Sequence, residues 1–327
     1  MKHDVFGIGN ALIDVLIHAE HEMIEDLGLT KGTFHLIDEE KLKRFEEKIL
    51  HHDKKIMSGG SAANTLAGVA ALGGSVLFFG KVGDDEHGAI YEEELKGHGV
   101  KSGIVKEKGV TGKAITIITP DSERTFLVYP GVSTNMKRHE LLDDDIKQSK
   151  FLHIEAYQLE DSELRNISIE AMKIAKAHNV KVSLDLGDAE LVKRNLKDIK
   201  EMVKNYIDVL FANEEEAKVF TGKEPEDALN EIAEMVEIAI VKIGKQGSMI
   251  KKGDNVHNIK PTPAEPIDTT GAGDIYASGI LYGLSQGYSL DKAGNLGSAL
   301  GAKLVEQTGA RLDAEIMLEI KRKIEVN

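Results

Sequence analysis

The chain has 327 residues, 41% of them hydrophobic, and a formal net charge of -14 at pH 7. This length suits one large domain with an appendage or two ordinary domains, and the acidic charge argues against a nucleic-acid partner bound through its phosphates. Cysteine is absent, which excludes disulfides, thiolate metal sites and cysteine nucleophiles.

The beginning of the chain carries no recognisable targeting signal. It enters a strand-like segment at Val5 without the charged and apolar regions of a signal peptide. No apolar run reaches the ~18 residues that a membrane span requires. We therefore expect a cytoplasmic protein that binds neither membrane nor nucleic acid, and the sequence leaves its oligomeric state open.

Short apolar runs alternate with longer segments of helical period along most of the chain. The runs predict strands at 5–8, 75–79, 151–154, 181–184, 209–211 and 238–243. Apolar residues at spacings of three and four predict helices at 61–72, 161–178, 214–221, 225–235, 275–286 and 289–306. This alternation is typical of an α/β fold, in which helices cover both faces of a mostly parallel sheet and ligands bind at the carboxyl ends of the strands.

Two regions, 13–37 and 103–129, interrupt this alternation with short strand signals and turns. Within the second region, 114–119 and 124–129 flank the turn 120–123 and predict a hairpin. We expect the two regions to form a small β-sheet that covers one edge of the core as a lid. The predicted domains are therefore an α/β core of residues 1–12, 39–104 and 131–327, and a small β lid of residues 13–38 and 105–130.

The first glycine-rich motif follows the first predicted strand and reads GIGNALID from Gly7 to Asp14. Its spacing is close to a dinucleotide-binding fingerprint, but Leu12 stands where the third glycine should be, which weakens an oxidoreductase interpretation. Asn10 and Asp14 instead supply an amide and a carboxylate, which suit hydrogen bonds to neighbouring hydroxyls of a ligand.

The second motif, Gly59-Gly60-Ser61 with Asn64, precedes the first core helix. Its glycines allow a ligand to approach the backbone closely, and Asn64 offers both a donor and an acceptor to a polyhydroxy substrate. A simple helix start is the alternative interpretation.

The third motif is DTTGAGD, from Asp268 to Asp274, directly before a helix-compatible run. Two glycines at a helix entrance turn backbone N–H groups toward an anion, which the helix dipole also favours. A carboxylate at that place suits a general base that deprotonates a hydroxyl during phosphoryl transfer. The alternative is an Asp N-cap after a glycine-rich turn. The P-loop pattern is missing, so a phosphate site of that kind is excluded.

Four elements occur in one order: the Gly59 motif, the run 213–216, the run 242–247 and the Asp268 motif. This order resembles the PfkB family of carbohydrate and nucleoside kinases, also called the ribokinase-like family, over nearly the whole chain. The resemblance implies a ribokinase-like α/β fold with a small β lid. It also implies an ATP-dependent phosphotransferase with an alcohol group as acceptor and with Mg²⁺ as cofactor.

The resemblance also implies roles for individual residues. Asp274 would be the general base, and the anion hole would consist of Gly271, Ala272 and Gly273. Glu216 would help to place Mg²⁺ through water, together with Asn213, although a charged helix N-terminus is the alternative for 214–216. The other nucleotide-binding residues would be Lys242, Gly244, Gly247 and Asn295. A monovalent cation such as K⁺ would bind at Asp268 and the carbonyl of Thr270.

Within the family, the segments 9–14, 36–38 and 206–214 look most like the adenosine kinase branch. That branch transfers the γ-phosphate of ATP to the ribose 5′-hydroxyl of a nucleoside. Ribose contacts would come from Asn10, Asp14, Gly59, Gly60 and Asn64. Walls for the base would come from Phe34, Leu36, Phe126 and Tyr157, and Arg124 would neutralise phosphate charge. The alternatives are a ribokinase- or fructokinase-type sugar kinase and a non-catalytic nucleoside- or sugar-binding relative.

Overall fold

The computed structural model describes residues 1–121 and 123–326, and Ser122 of the predicted turn lies outside the described residues. Its strands are β1 His3–Ile8, β2 Leu12–His18, β3 Phe34–Leu36, β4 Lys54–Ser58, β5 Val76–Gly83, β6 Lys101–Glu107, β7 Thr111–Ile118, β8 Arg124–Gly131, β9 Ser149–Glu155, β10 Lys181–Asp185, β11 Val209–Asn213, β12 Ile238–Lys242, β13 Ser248–Lys252 and β14 Asn255–Ile259.

The helices within residues 1–121 and 123–326 include every helix that the periodicity predicts. They are α1 His21–Asp26, α2 Glu39–Lys48, α3 Ser61–Ala71, α4 Glu86–Gly97, α5 Asp143–Lys147, α6 Ser162–Ala177, α7 Ala189–Arg194, α8 Leu196–Tyr206, α9 Glu214–Thr221, α10 Pro225–Ala233, α11 Ala272–Ser285, α12 Leu290–Leu304 and α13 Ala314–Val326. Among these described helices, none combines the length and the apolar character that a membrane crossing would need.

The larger sheet has the strand order β14-β13-β12-β11-β10-β9-β1-β5-β6. From β12 to β6 neighbouring strands run parallel, whereas β13 and β14 extend the sheet as antiparallel strands. Parallel strands end at a common edge. The carboxyl edge of this sheet therefore collects the last residues of the parallel strands, among them Ile8, Glu155, Asp185, Asn213 and Lys242.

Two hydrophobic clusters cover the two faces of this sheet. Successive residues of a strand point to opposite faces, so Val5 belongs to a cluster with side chains of α3, α11 and α12, whereas Phe6 belongs to one with α6, α8 and α9. Burial on both faces explains why the strand sequences are nearly continuous apolar runs rather than alternating ones.

The smaller sheet has the order β3-β8-β7-β2-β4 and contains the predicted hairpin as β7 and β8. One face is buried, because Ile13, Val15 and Ile17 of β2 join Leu42 and Phe45 of α2 in one apolar cluster. The opposite face of β2 carries Asp14 and Leu16, which are only half-buried. The smaller sheet thus has one face covered by helices and one open face.

The sheet pairing differs from the predicted domain division at two points. Strand β4 lies inside the range 39–104 assigned to the core, yet it pairs antiparallel with β2 in the smaller sheet. Strand β6 continues the larger sheet as far as Glu107, beyond the predicted core boundary at 104. Strand β4 begins with two lysines, so it lacks the apolar run that predicts a strand. An edge strand accepts such polar residues, whereas a strand inside the sheet does not. The division into two domains itself stays a prediction.

Candidate active site

Asp274 lies in the first turn of α11 and is held by two side chains from the start of α3. Ser61 Oγ donates to Asp274 Oδ1 at 2.8 Å, and Asn64 Nδ2 donates to Asp274 Oδ2 at 3.0 Å. The structure therefore brings together two motifs that are more than 200 residues apart in sequence. Gly271, not Asp274, is the N-cap of α11, so the alternative interpretation of Asp274 as an N-cap is wrong.

The surroundings of Asp274 tune its basicity. Burial raises the pKa of this carboxyl to about 6, while the hydrogen bonds from Ser61 and Asn64 oppose the rise. The neighbouring carboxylate of Asp185 raises the pKa further, and the ammonium of Lys242 lowers it. A carboxylate with this pKa is ionised at pH 7 and is more basic than an ordinary Asp, which are the properties of a general base.

The predicted anion hole lies at the N-terminus of α11. Gly271 has φ +73°, and a Cβ added there would lie 2.6 Å from Ala310 Cβ, so a glycine is needed at this close approach. The Ala272 N–H donates to Thr269 O at 3.1 Å. The N–H groups of Gly273 and Asp274 follow in the first turn, where a helix supplies no carbonyl acceptor of its own. An anion fits this end of the helix.

Lys242, the last residue of β12, adds a positive charge beside the anion hole. Its Nζ lies 3.1 Å from the position that a Cβ of Gly273 would occupy and 3.3 Å from Asp185 Oδ2. Burial lowers the pKa of Lys242, but the carboxylates of Asp185 and Glu216 more than offset this, so the pKa is raised overall. The ammonium therefore stays charged at neutral pH.

Asn213 and Glu216 form a capping box at the start of α9. Glu216 Oε2 accepts from the Asn213 N–H at 2.8 Å, Glu216 Oε1 accepts from Asn213 Nδ2 at 2.7 Å, and Asn213 Oδ1 accepts from the Glu216 N–H at 2.8 Å. The structure thus shows the helix-start alternative for this element. Burial raises the pKa of Glu216 to about 7; Lys242 opposes the rise and Asp185 adds to it.

This arrangement fits Mg²⁺ only through water. Both carboxylate oxygens of Glu216 already accept hydrogen bonds. In the residues that the structure describes, no group of three or more His, Asp or Glu side chains could hold a metal ion. Mg²⁺ keeps several waters and commonly binds through substrate phosphates. The carboxylates of Asp185 and Glu216 would therefore accept hydrogen bonds from the waters that surround the ion.

Asp268 contacts a positive group of the chain itself. Arg124 Nη1, from the start of β8, donates to Asp268 Oδ1 at 2.9 Å and to Thr270 Oγ1 at 3.0 Å. Asp268 also accepts from the N–H groups of Thr270 and Gly309. Burial raises the pKa of Asp268, but Arg124 and these N–H groups lower it to about 2. The small sheet therefore touches the core next to the anion hole, and a K⁺ site at Asp268 and Thr270 stays a prediction.

The predicted acceptor-binding residues meet around the start of α3. Gly60 has φ +94°, and a Cβ there would collide with the carbonyl oxygen of Asn10, while a Cβ at Gly59 would collide with the Asp14 carboxylate. The two glycines thus let Asn10 and Asp14 approach α3. The Oδ1 atom of Asn10 is buried without a hydrogen-bond partner. Burial raises the pKa of Asp14 to about 7, with Arg311 opposing the rise.

Sequence reasoning missed three charged residues of this site: Glu155, Asp185 and Arg311. Glu155 accepts from the N–H groups of Asn10 at 2.9 Å and Ala62 at 2.7 Å, and so joins the loop after β1 to α3. Glu155 and Asp185 are the last residues of β9 and β10. Their position at the carboxyl ends of predicted parallel strands was the available signal. No comparable pattern marks Arg311 in the sequence.

The predicted base-binding residues of the lid lie on the open face of the smaller sheet. Strand register pairs Leu36 with Val128, Val128 with Ala114, and Ala114 with Asp14. The next row on this face contains Phe34, Phe126, Thr116 and Leu16. Phe34, Leu36 and Phe126 are 55%, 69% and 39% exposed. An open apolar surface therefore continues directly from the Asp14 carboxylate.

Other predicted residues lie at separate places. Tyr157 is in the turn after β9, where its hydroxyl donates to Gly187 O at 3.4 Å. The structure therefore places Tyr157 just after the carboxyl end of β9, beside the loop that follows Asp185. A Cβ at Gly247, whose φ is +98°, would collide with Ile259 O, so that glycine permits a close backbone approach. Gly244 has φ +54°, and Asn295 is exposed on α12; their nucleotide-binding roles stay predictions.

The fold and this site together define a phosphotransferase with an alcohol group as acceptor. The chain belongs to the pfkB family of carbohydrate kinases, whose sequence model matches residues 23–317. This result confirms the predicted family and enzyme class. The family implies ATP as phosphate donor and Mg²⁺ as cofactor.

Similar proteins include both nucleoside and sugar kinases. The crystal structure of adenosine kinase from Sinorhizobium meliloti has 31% identity and a TM-score of 0.89, with 99% of each chain covered. That of a probable sugar kinase from Rhizobium etli has 29% identity and a TM-score of 0.90, with 100% of this chain and 99% of that chain covered. The 5-dehydro-2-deoxygluconokinase of Clostridium perfringens is 30% identical over 278 residues, 80% of this chain and 82% of the relative. These likenesses confirm the ribokinase-like α/β fold and leave a sugar or a nucleoside as the acceptor.

Proposed function

We propose that this kinase transfers the γ-phosphate of ATP to the 5′-hydroxyl of a nucleoside, with adenosine as the preferred acceptor. The observation that carries this proposal is the open face of the smaller sheet. On it, Phe34, Leu36 and Phe126 continue from Asp14 as an exposed apolar surface. A nucleoside has a polar ribose joined to a flat apolar base, and aromatic side chains suit such a base. A free sugar would leave this surface uncovered.

The polar end of the acceptor would lie among Asn10, Asp14 and Asn64. The partnerless Asn10 Oδ1 is an acceptor for a hydroxyl, because a buried polar atom is costly unless it is hydrogen-bonded. Asp14, with a pKa raised to about 7, accepts hydroxyl hydrogen bonds when it is ionised and donates one when it is protonated. Asn64 links this group to Asp274 at 3.0 Å. A ribose held here would bring its 5′-hydroxyl toward the base.

In the proposed reaction, an oxygen of the Asp274 carboxylate takes the proton of the acceptor hydroxyl. The hydroxyl oxygen forms a bond to the γ-phosphorus, the bond between that phosphorus and the β–γ bridging oxygen breaks, and ADP leaves. The N-terminus of α11 and the Lys242 ammonium would stabilise the negative charge on the transferring group. Mg²⁺, when bound, neutralises charge on the nucleotide phosphates.

Closure of the small sheet over the acceptor would exclude water from the reaction. Arg124 supports this part of the proposal, since it already connects β8 to Asp268 and Thr270 beside the anion hole. From that position its guanidinium would also face phosphate oxygens, for which arginine is well suited. The proposed acceptor, a nucleoside, is a small molecule. The cytoplasmic location stays a prediction.

A sugar kinase is the second candidate, because the Clostridium perfringens relative, 30% identical over 278 residues, is named for a sugar-acid substrate. The same Asp274 chemistry would apply to such an acceptor. The difference would lie in the small sheet, whose apolar face offers a free sugar little beyond Asp14. Substrate choice therefore decides between the two candidates.

An ATP-consumption assay with Mg²⁺ tests the proposal on adenosine, other nucleosides, ribose, fructose and 5-dehydro-2-deoxygluconate. Asp274→Asn serves as the inactive control for each acceptor. We expect selective turnover of adenosine by the unsubstituted protein. Preferred turnover of a free sugar or a sugar acid would replace the nucleoside proposal with the second candidate. Turnover that persists in Asp274→Asn would contradict the proposed base.

A further inference from the structure

Arg311 connects the acceptor region to Asp274 through one amide. Its Nε donates to Asn64 Oδ1 at 3.0 Å, and its Nη1 donates to Ser58 Oγ at 2.8 Å. The other end of the same amide, Asn64 Nδ2, donates to Asp274 Oδ2 at 3.0 Å. A continuous chain of hydrogen bonds therefore runs from Ser58 through Arg311 and Asn64 to Asp274.

The chemistry of the guanidinium fixes the direction of this chain. Arginine carries only donors, whereas an amide has an acceptor oxygen at one end and donor N–H groups at the other. Arg311 can therefore bond only to the oxygen of Asn64, which turns the NH₂ group toward Asp274. A donor in that position stabilises the ionised form of the Asp274 carboxylate.

The backbone that leads into Arg311 lies against the start of α11. The two residues before Arg311 make these contacts. The Gly309 N–H donates to Asp268 Oδ2 at 3.1 Å, and Ala310 packs against Gly271, the N-cap of α11. The third nitrogen of Arg311, Nη2, is buried without a hydrogen-bond partner. The backbone that shapes the anion hole thus also sets the place of the guanidinium.

The charges around Arg311 favour the same arrangement. Burial lowers the pKa of Arg311 overall, and the neighbouring groups of Tyr91, Asp14, Glu94 and Asp274 offset part of this lowering. The guanidinium in turn opposes the rise in the pKa of Asp14. Six ionisable groups from other parts of the fold interact electrostatically with the Asp274 carboxylate. They are Asp14, Glu155, Tyr157, Asp185, Lys242 and Arg311.

We propose that Arg311 is a positioning residue for phosphoryl transfer: it fixes the Asn64 amide so that the amide nitrogen holds the Asp274 carboxylate in place. This inference rests on the proposed role of Asp274 as the base. It goes beyond that role because it assigns a function to a residue that lies outside the glycine-rich motifs.

A double-mutant cycle tests this coupling with Arg311→Met, Asn64→Ala and the combined variant. Methionine keeps an unbranched chain but removes the charge and the donors. If Arg311 acts through Asn64, Arg311→Met lowers kcat about 10- to 100-fold in the normal background but less than about threefold in the Asn64→Ala background. Independent, additive losses would overturn the proposal.

The pH profile of kcat supplies a readout that a merely structural role would not move. In Arg311→Met, loss of the positive charge and of the fixed amide raises the pKa of Asp274, so the acid limb of the profile moves to higher pH. Arg311→Lys keeps the charge and should restore much of the limb's position. An acid limb that stays in place in Arg311→Met would contradict the proposal.

Two controls separate the possible failures. Arg322→Met removes an exposed arginine of α13 whose Nε donates to Leu318 O, and it should leave kcat and the pH profile unchanged. If Arg311→Met does not fold, Ser58→Ala removes the second partner of the guanidinium and should give a smaller kcat loss that also vanishes with Asn64→Ala. An active Asp274→Asn would refute the proposed base itself, whereas an inactive Asp274→Asn with an additive cycle would refute only the role of Arg311.

Discussion

The start of α11 and the open face of the small sheet differ in how far their side chains are already engaged. At Asp274, both carboxylate oxygens accept hydrogen bonds from α3, at 2.8 and 3.0 Å. On the small sheet, Phe34 and Leu36 leave more than half of their surface exposed, at 55% and 69%. The first region is organised before any ligand binds, whereas the second gains partners only from a ligand. We therefore propose that the core determines the reaction and that the small sheet determines the acceptor.

The largest expected effect comes from Asp274→Asn. The amide keeps the size of the side chain and removes the base, so kcat should fall about 10²- to 10⁴-fold, the range typical of general-base catalysis. Calorimetry should show that ATP and adenosine still bind with nearly unchanged affinity. Normal turnover in this variant would mean that the core does not set the reaction through Asp274.

Asp14→Ala tests the border between the two regions. Asp14 lies on the small sheet beside Gly59. Its substitution removes a hydrogen-bonding partner of the acceptor and leaves the contacts to ATP in place. The KM for adenosine should rise about 10- to 100-fold, while the KM for ATP changes less than about threefold. Asp14→Asn, which keeps the polar shape, should show a smaller rise. Equal increases of both KM values would point to a disturbed fold instead of a lost contact.

The pH dependence of kcat/KM sharpens the part assigned to the core. The base must be ionised, and burial sets the pKa of Asp274 at about 6 in the free protein. kcat/KM should therefore fall about tenfold per pH unit below that value and level off above it. Burial also raises the pKa of Asp14 to about 7, so the profile is measured in Asp14→Asn as well, in which the acid limb due to Asp274 should persist. A flat profile in that variant would contradict the assignment.

Much of the fold could be predicted from the sequence because its signals are local. The predicted helix 214–221 matches α9 in both ends, and the predicted strand 209–211 lies within β11. Strand β4 escaped prediction because Lys54 and Lys55 stand at its start, and its place depends on pairing with β2 about 40 residues earlier. Such non-local pairing is not written in periodicity.

The residues of the site also differ in whether local sequence signals predict them. Asp274, Asn64 and Gly271 stand in glycine-rich motifs, whose backbone demands are visible in a sequence. Glu155, Asp185 and Arg311 are single charged residues whose importance depends on which strands and loops become neighbours. The predicted strand 151–154 places Glu155 at a strand end, but only the pairing of β9 with β1 brings its carboxylate to the Asn10 N–H.

The measurement that tests the comparison most directly is the ratio of kcat/KM for adenosine to that for ribose, in the normal protein and in the double variant Phe34→Ala with Phe126→Ala. We expect the variant to lose about tenfold or more of this ratio, because the base loses its apolar wall, while kcat with saturating adenosine stays within about threefold. An unchanged ratio, or an equal loss with both acceptors, would contradict the claim that the small sheet sets the acceptor while the core sets the reaction.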